Sequence, residues 1–325
     1  MQRVIKPDGQ FNIQLEDVPI PEPGPGEVRI KAVRSLISRG SEIGARYTRT
    51  HAVSPEIMGY SLAGTVDALG EGVDCYDIND PVVALAPHAE YAVRPATLSS
   101  TVEQPQVFPM PDGVDYDQAP YWPLVAGAVT WVDIEQIGNN YTVVILGQGL
   151  VGSLMLQVAR HNGQGRIIAV DALESRCALA EEFGADAVVN AAVEDPVAAV
   201  HRLTKGAGAD TVVYAVGGPA GLTVFDQSLD MLAPGGLLHL IGLYEDAPLP
   251  LSSGKIQRRK IIGGYYGESI GSGTAHRAMQ LLRKGAIQTE RMTTHRMPFT
   301  EAALAFDLLY NNMGEALGVL LDWEV

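Results

Sequence analysis

Residues 142–152 read TVVILGQGLVG, and a second apolar run, RIIAV, ends on Asp171, nineteen residues beyond Gly152. No other stretch restricts the fold so strongly. A β-branched strand feeds a G-x-G-x-x-G turn at Gly147, Gly149 and Gly152, and an amphipathic helix opens directly from it through Leu150, Val151, Leu154, Met155 and Val158. Each glycine has a distinct job in a dinucleotide site. Gly147 permits the tight turn, and Gly149 lacks the Cβ that would block a pyrophosphate. Gly152 lets the helix pack close on the strand. The helix N-terminus offers unpaired N–H groups and a partial positive charge to phosphates. Gln148, Leu150, Val151 and the three glycines are therefore candidate cofactor contacts.

The acid at the tip of the second strand carries information about the cofactor. A carboxylate there accepts from both ribose hydroxyls and repels a 2′-phosphate, so Asp171 favours NAD over NADP. Arg176, five residues on, could soften that preference, or could be a solvated residue lining the adenine edge.

With 325 residues, 46% of them apolar and 19% charged, the chain has room for two domains with sizeable cores. A net charge of −15 argues against nucleic acid and anionic membrane partners. No apolar run reaches membrane-spanning length, and the start MQRVIKPDGQF has no secretory apolar region. A cytoplasmic location is the default expectation. Two cysteines, Cys75 and Cys177, suggest neither a disulfide framework nor a metal cluster.

Residues 1–118 carry Pro, Gly and short strand patterns, as in PGPGEVRIKAV, SLAGTVDALGEGV and PVVALAPHAEYAVRP. They read as a compact β unit. YDQAPYWPLVAGAVTWVDI reads as a crossing helix. Strands then alternate with helices, which predicts a parallel sheet. TVVIL and RIIAV are followed by ADAVVN, ADTVVYAVGG, LLHLIGLY after a Pro234-Gly235-Gly236 turn, and KIIGGYY. Asp195 and Pro196 form a helix start. Beyond residue 258 the segments TAHRAMQLLRKG, TTHRMP, TEAALAFDLLYNN and LGVLLDW read as a return to the first domain. The predicted division is 1–118 with 259–325, around a nucleotide-binding domain at 119–258.

Several segments together resemble the medium-chain dehydrogenase/reductase superfamily: PGPGEVRIKAV, PEIMGYSLAGTVDALGEGV, AVTWV, GQGLVG with Asp171, FGADAVVN, LAPGGLLHLIG and THRMPFTEAALAFDLL. The resemblance spans nearly the whole chain. It implies an α/β protein with a GroES-like β-rich catalytic domain and a Rossmann domain, assembled as a homodimer or homotetramer. Thr130 matches a threonine on the nicotinamide side of zinc-less relatives. Val216, Gly217, Gly242, Leu243 and Tyr244 fall at the C-terminal ends of the fourth and fifth strands, where ligands of open sheets bind.

Departures from the zinc-dependent pattern are equally specific. Arg39 and Tyr60 stand where that pattern has its Cys and His ligands, and Ser61 where it has the following Glu. The third ligand position falls within residues 121–124, Tyr-Trp-Pro-Leu, and the four-cysteine lobe is missing. A catalytic zinc needs three protein ligands, so no zinc is expected. In zinc relatives the metal stabilises the alkoxide; without it, side chains must manage the hydroxyl proton.

Tyr60 is a candidate donor and relay, or a filler of the vacated space. Ser41 matches the relay hydroxyl of zinc relatives. Ser38 is a candidate partner of the ribose or substrate. Glu42 matches the acid that supports the ligand His and is expected to pair with Arg39, unless Arg39 orients the substrate. His88, in a turn bordering the expected cleft, is a candidate acid or base, although a surface or capping role is commoner. The remaining histidines, His239 among them, show no chemical constellation.

These features point to a zinc-independent NAD-linked oxidoreductase acting on a small secondary alcohol or ketone, such as a polyol. Two alternatives stay open: an NAD(P)H-dependent quinone or enone reductase, and a non-catalytic nucleotide-binding sensor.

Overall fold

The computed structural model describes residues 1–96, 106–163, 165–242, 248–265 and 272–325. Two compact units make up the chain: residues 1–126 with 270–325, and residues 127–269. The boundary between them falls inside helix α1 (Trp122–Glu135). This division differs from the sequence expectation at both ends of the second unit. The strand Lys260–Gly263 hydrogen-bonds in parallel to Leu237–Leu240, so the sheet carries this unit beyond residue 258.

Among the described residues the second unit holds six strands: β1 (Thr142–Leu146), β2 (Arg166–Asp171), β3 (Ala187–Asn190), β4 (Ala209–Tyr214), β5 (Leu232–Leu240) and β6 (Lys260–Gly263). Their spatial order is β3-β2-β1-β4-β5-β6, with every neighbouring pair parallel. This is the doubly wound order that places a ligand crevice where β1 meets β4. Val143 to Leu146 of β1 and Ile167 to Val170 of β2 are all buried, the unbroken apolar runs of strands covered on both faces. Val144, Leu146, Ile168, Val170, Val212, Tyr214 and Leu238 form part of one buried cluster. Each such aliphatic side chain contributes about 1.5–3 kcal/mol on burial. The expected turn at residues 234–236 is absorbed into β5, where the β4–β5 register shifts between Ala209 and Thr211.

In the first unit the long strand Glu27–Leu36 is central. Strand Leu62–Leu69 pairs along one edge of it. The other edge is shared by Tyr91–Pro95 and, through Arg34–Leu36, by the C-terminal strand Gly318–Asp322. That strand carries Thr293–Pro298 in parallel beyond it. Strands Pro81–Ala84 and Val107–Pro109 extend the sheet on the other side. The two units together give the GroES-like plus Rossmann α/β fold class. Among the described residues, no helix is long and apolar enough to cross a membrane.

Candidate active site

The candidate nucleotide site of the second unit is built around helix α2 (Leu150–His161), which starts from Gly149 with no side-chain cap on its first amides. The three motif glycines separate cleanly by what a side chain would meet. A Cβ on Gly152 would collide with the Gly147 carbonyl, whereas one on Gly149 would meet nothing within 4 Å. Gly147 has φ +86° and sits against Val216, whose Cγ2 would lie 2.8 Å from an added Cβ. Gly242 is pressed onto the Val216 carbonyl in the same way. Thus Gly147, Val216 and Gly242 lock the ends of β1, β4 and β5 together, and Gly217 follows at the same edge. The open cradle over Gly149 and the uncapped helix start fit a pyrophosphate.

Asp171 is held rigidly at the tip of β2. Its Oδ2 accepts from the Gln148 N–H at 2.7 Å and its Oδ1 from the Leu173 N–H at 2.9 Å. A carboxylate has about four acceptor positions, so two remain for a ribose diol. The Gln148 side chain turns inward and donates to the Ile145 carbonyl at 3.0 Å. Arg176 is only 5% exposed, so it is a packed residue and not a solvated one. Thr130 is buried on α1. Leu243 and Tyr244 lie outside the described residues.

His239 is also part of a constellation in this unit, contrary to the sequence expectation. It is buried in β5 against Glu135, the last residue of α1.

The first unit divides the six candidate catalytic residues into two groups. Arg39, Ser41 and Tyr60 are half-buried. Ser38, Glu42 and His88 are buried, the last two with no exposed surface. Ser38 caps the short helix Arg39–Tyr47, accepting from the Ser41 N–H at 3.4 Å, and Glu42 Oε2 accepts from the Ser38 N–H at 2.7 Å. This reciprocal arrangement is close to a capping box. The partner the structure gives Glu42 is His88, not the expected Arg39: Nε2 lies 2.7 Å from Oε1. His88 is correspondingly neither a surface nor a capping residue. Its Nδ1 lies 2.8 Å from Ser35 Oγ, which accepts from Trp323 Nε1 at 2.8 Å. Sequence patterning missed Ser35 and Trp323 entirely.

The donor set does not fit a catalytic zinc. Arg39 offers no lone pair at any accessible pH. The Ser61 hydroxyl is buried and donates to the Pro120 carbonyl. Trp122, in the segment of the third ligand position, packs its indole on Phe108 with ring centroids 4.9 Å apart. Among the described residues no group of three or more His, Cys, Asp or Glu side chains could hold a metal.

Comparison with known proteins agrees with this architecture. The family model described as "zinc-binding dehydrogenase" matches residues 151–284. L-threonine 3-dehydrogenase of Bacillus subtilis (strain 168) is 27% identical, covering 95% of both chains. Sorbitol dehydrogenase of the same organism is 24% identical over 95% of this chain and 94% of its own. The solved alcohol dehydrogenase from Thermus sp. ATN1 superimposes with a TM-score of 0.83 at 24% identity, covering 99% of each chain.

Over nearly its whole length the chain is similar to dehydrogenases, and these findings support the medium-chain dehydrogenase/reductase superfamily. The same relatives support an oxidoreductase of the alcohol dehydrogenase type. The family-model match begins at residue 151, past Arg39, Tyr60, Ser61 and residues 121–124. The word zinc in its description therefore bears on none of the ligand positions.

Proposed function

We propose that the protein is a zinc-independent, NAD-linked dehydrogenase that interconverts a secondary alcohol and the matching ketone. The observation that carries this reading is the pairing of Glu42 with His88 and the Ser38 amide. The acid that would stand behind a metal-binding histidine is committed elsewhere, and Tyr60 occupies that histidine's position. NAD is favoured because the fixed Asp171 carboxylate opposes a 2′-phosphate. The relatives named for threonine and sorbitol support the substrate class, since both molecules carry secondary hydroxyls.

NAD held over Gly149, with its ribose at Asp171, would supply the hydride acceptor. The protein's own residues must then receive the hydroxyl proton and steady the charge on oxygen. Tyr60 and Ser41 are the half-buried hydroxyls suited to donate to the substrate oxygen and pass its proton outward. Arg39 supplies the positive charge that zinc would otherwise provide.

Titration with NADH and NADPH, followed by nicotinamide fluorescence, tests the cofactor preference. A panel of secondary alcohols with NAD, beside quinones and enones with NADH and NADPH, tests the reaction. Turnover of an alcohol by metal-free enzyme, slowed by Tyr60→Phe, is the expected result. One tightly held zinc per chain, with activity lost to a chelator and restored by the ion, would overturn zinc independence. Turnover confined to quinones or enones would overturn the alcohol assignment.

A further inference from the structure

Beneath the half-buried residues Arg39, Ser41 and Tyr60 runs a buried chain of hydrogen bonds whose direction is set by chemistry. The Trp323 indole can only donate, and it donates to Ser35 Oγ at 2.8 Å. At the other end Glu42 Oε2 accepts from the Ser38 N–H at 2.7 Å. Glu42 Oε1 is then served by His88 Nε2–H at 2.7 Å. A neutral ring with its proton on Nε2 presents a lone pair at Nδ1, and the Ser35 hydroxyl supplies the proton there at 2.8 Å. In this direction every donor meets an acceptor. The opposite tautomer makes Ser35 accept twice and leaves its own proton without a partner in the chain.

His88 also lies under both backbone segments that carry the candidate catalytic groups. Through Glu42 it reaches the Ser38 amide, which starts the turn bearing Arg39 and Ser41. Its backbone N–H donates to the Met58 carbonyl at 2.7 Å. The next residue, Gly59, has φ +105° and passes His88 so closely that an added Cβ would lie 2.6 Å from its backbone nitrogen and 2.9 Å from Cγ of the imidazole. Tyr60 follows directly. One buried imidazole thus sets the positions of two segments that are far apart in sequence.

We propose that His88, as the Nε2–H tautomer, is a positioning residue for this dehydrogenase. It holds Glu42 against the Ser38 amide and seats the Gly59–Tyr60 segment, keeping Arg39, Ser41 and Tyr60 in register without touching substrate. The inference rests on the dehydrogenase reading for its functional part and on the hydrogen-bond chain alone for its structural part.

The experiment has two arms on the full-length enzyme. In the first, nitrogen-15 NMR of histidine-labelled protein reads the tautomer, with the His88 signals assigned by their loss in His88→Gln. A protonated Nε2 and a hydrogen-bonded, unprotonated Nδ1 are expected; a protonated Nδ1 overturns the proposal. In the second arm, kinetics compare His88→Phe with His88→Gln, whose amide still donates to Glu42. His88→Phe is expected to lower kcat by roughly 100-fold, with NADH affinity unchanged, and His88→Gln to recover most of that loss. Folded His88→Phe with wild-type kcat overturns the positioning role, as does an equal loss in both variants. If His88→Phe does not fold, Ser35→Ala removes the proton donated to Nδ1. It should lower kcat with NADH affinity intact, and unchanged kcat overturns the role. Wild-type enzyme inert towards every alcohol would refute the dehydrogenase reading, whereas the NMR arm decides the tautomer without any turnover.

Discussion

Glu135 and His239 form a buried pair that closes α1 onto the sheet of the nucleotide unit, with Oε1 and Nδ1 2.8 Å apart. The other ring nitrogen, Nε2, lies 2.7 Å from the Gly264 carbonyl just beyond β6. A carbonyl only accepts, so Nε2 carries a proton. The link to Glu135 then holds one further proton. Burial pushes the Glu135 carboxyl up, and the bond to His239 pulls the other way. Removing the imidazole leaves a carboxyl group buried with nothing to bond. His239→Leu should therefore lose about 3–5 kcal/mol in urea unfolding. Glu135→Gln can still donate an amide proton to Nδ1 and should stay within about 1 kcal/mol of wild type. Equal losses in the two variants would show that the carboxyl group itself, and not a neutral hydrogen bond, stabilises the pair.

The glycines of the nucleotide turn should separate folding from binding. Gly152→Ala drives a methyl group into the Gly147 carbonyl, so the turn must open. A fall in Tm of several degrees, together with lost NADH binding, is expected. Gly149→Ala meets empty space in the free protein. It should keep the wild-type Tm and still weaken NADH by about 10-fold or more, because the methyl occupies the pyrophosphate's approach. Fluorescence titration beside a thermal melt reads both quantities.

This contrast shows why the nucleotide turn was legible in sequence and the buried pairs were not. A strand, a glycine turn and a helix are contiguous, so Gly147, Gly149, Gly152 and Asp171 reveal themselves through local spacing. The Glu42–His88 contact joins residues 46 positions apart, and Glu135–His239 joins residues 104 apart. A single chain carries no periodic signal for either. One local clue was available: Ser38-Arg-Gly-Ser41-Glu42 resembles a capping box, which would have directed the Glu42 carboxylate back to the Ser38 amide. The burial of Arg176 was hidden for the converse reason. Charged residues are mostly exposed, and only the packing of its helix on the sheet reveals its burial.

Asp171 should govern the choice of cofactor without being needed for the fold. Its two bonds go to backbone amides at the tip of β2. Asp171→Asn preserves an acceptor oxygen for one of those amides and removes the negative charge that opposes a 2′-phosphate. The ratio of NADH to NADPH affinity should fall by about 10-fold or more, a change of roughly 1.4 kcal/mol. Paired fluorescence titrations measure it. An unchanged ratio would mean that the steric fit of the β2 tip, rather than charge, selects the cofactor.

Tyr265 gives the nucleotide unit an alkaline limit. Its ring packs on Trp131 with centroids 5.3 Å apart, and burial pushes its hydroxyl up to about 12. An unfolded tyrosine ionises near 10. Between these two values the unfolded chain loses a proton that the folded chain keeps, so the folded state binds more protons and stability falls as pH rises. The Tyr265 contribution is intact below pH about 10, and it declines through pH about 12 by up to about 1.4 kcal/mol per pH unit. Tyr265→Phe keeps the ring contact and lacks the ionisable group. Its denaturant midpoint, measured from pH about 9 to 12, should therefore fall less steeply than that of wild type. Parallel curves would place the Tyr265 hydroxyl in contact with solvent.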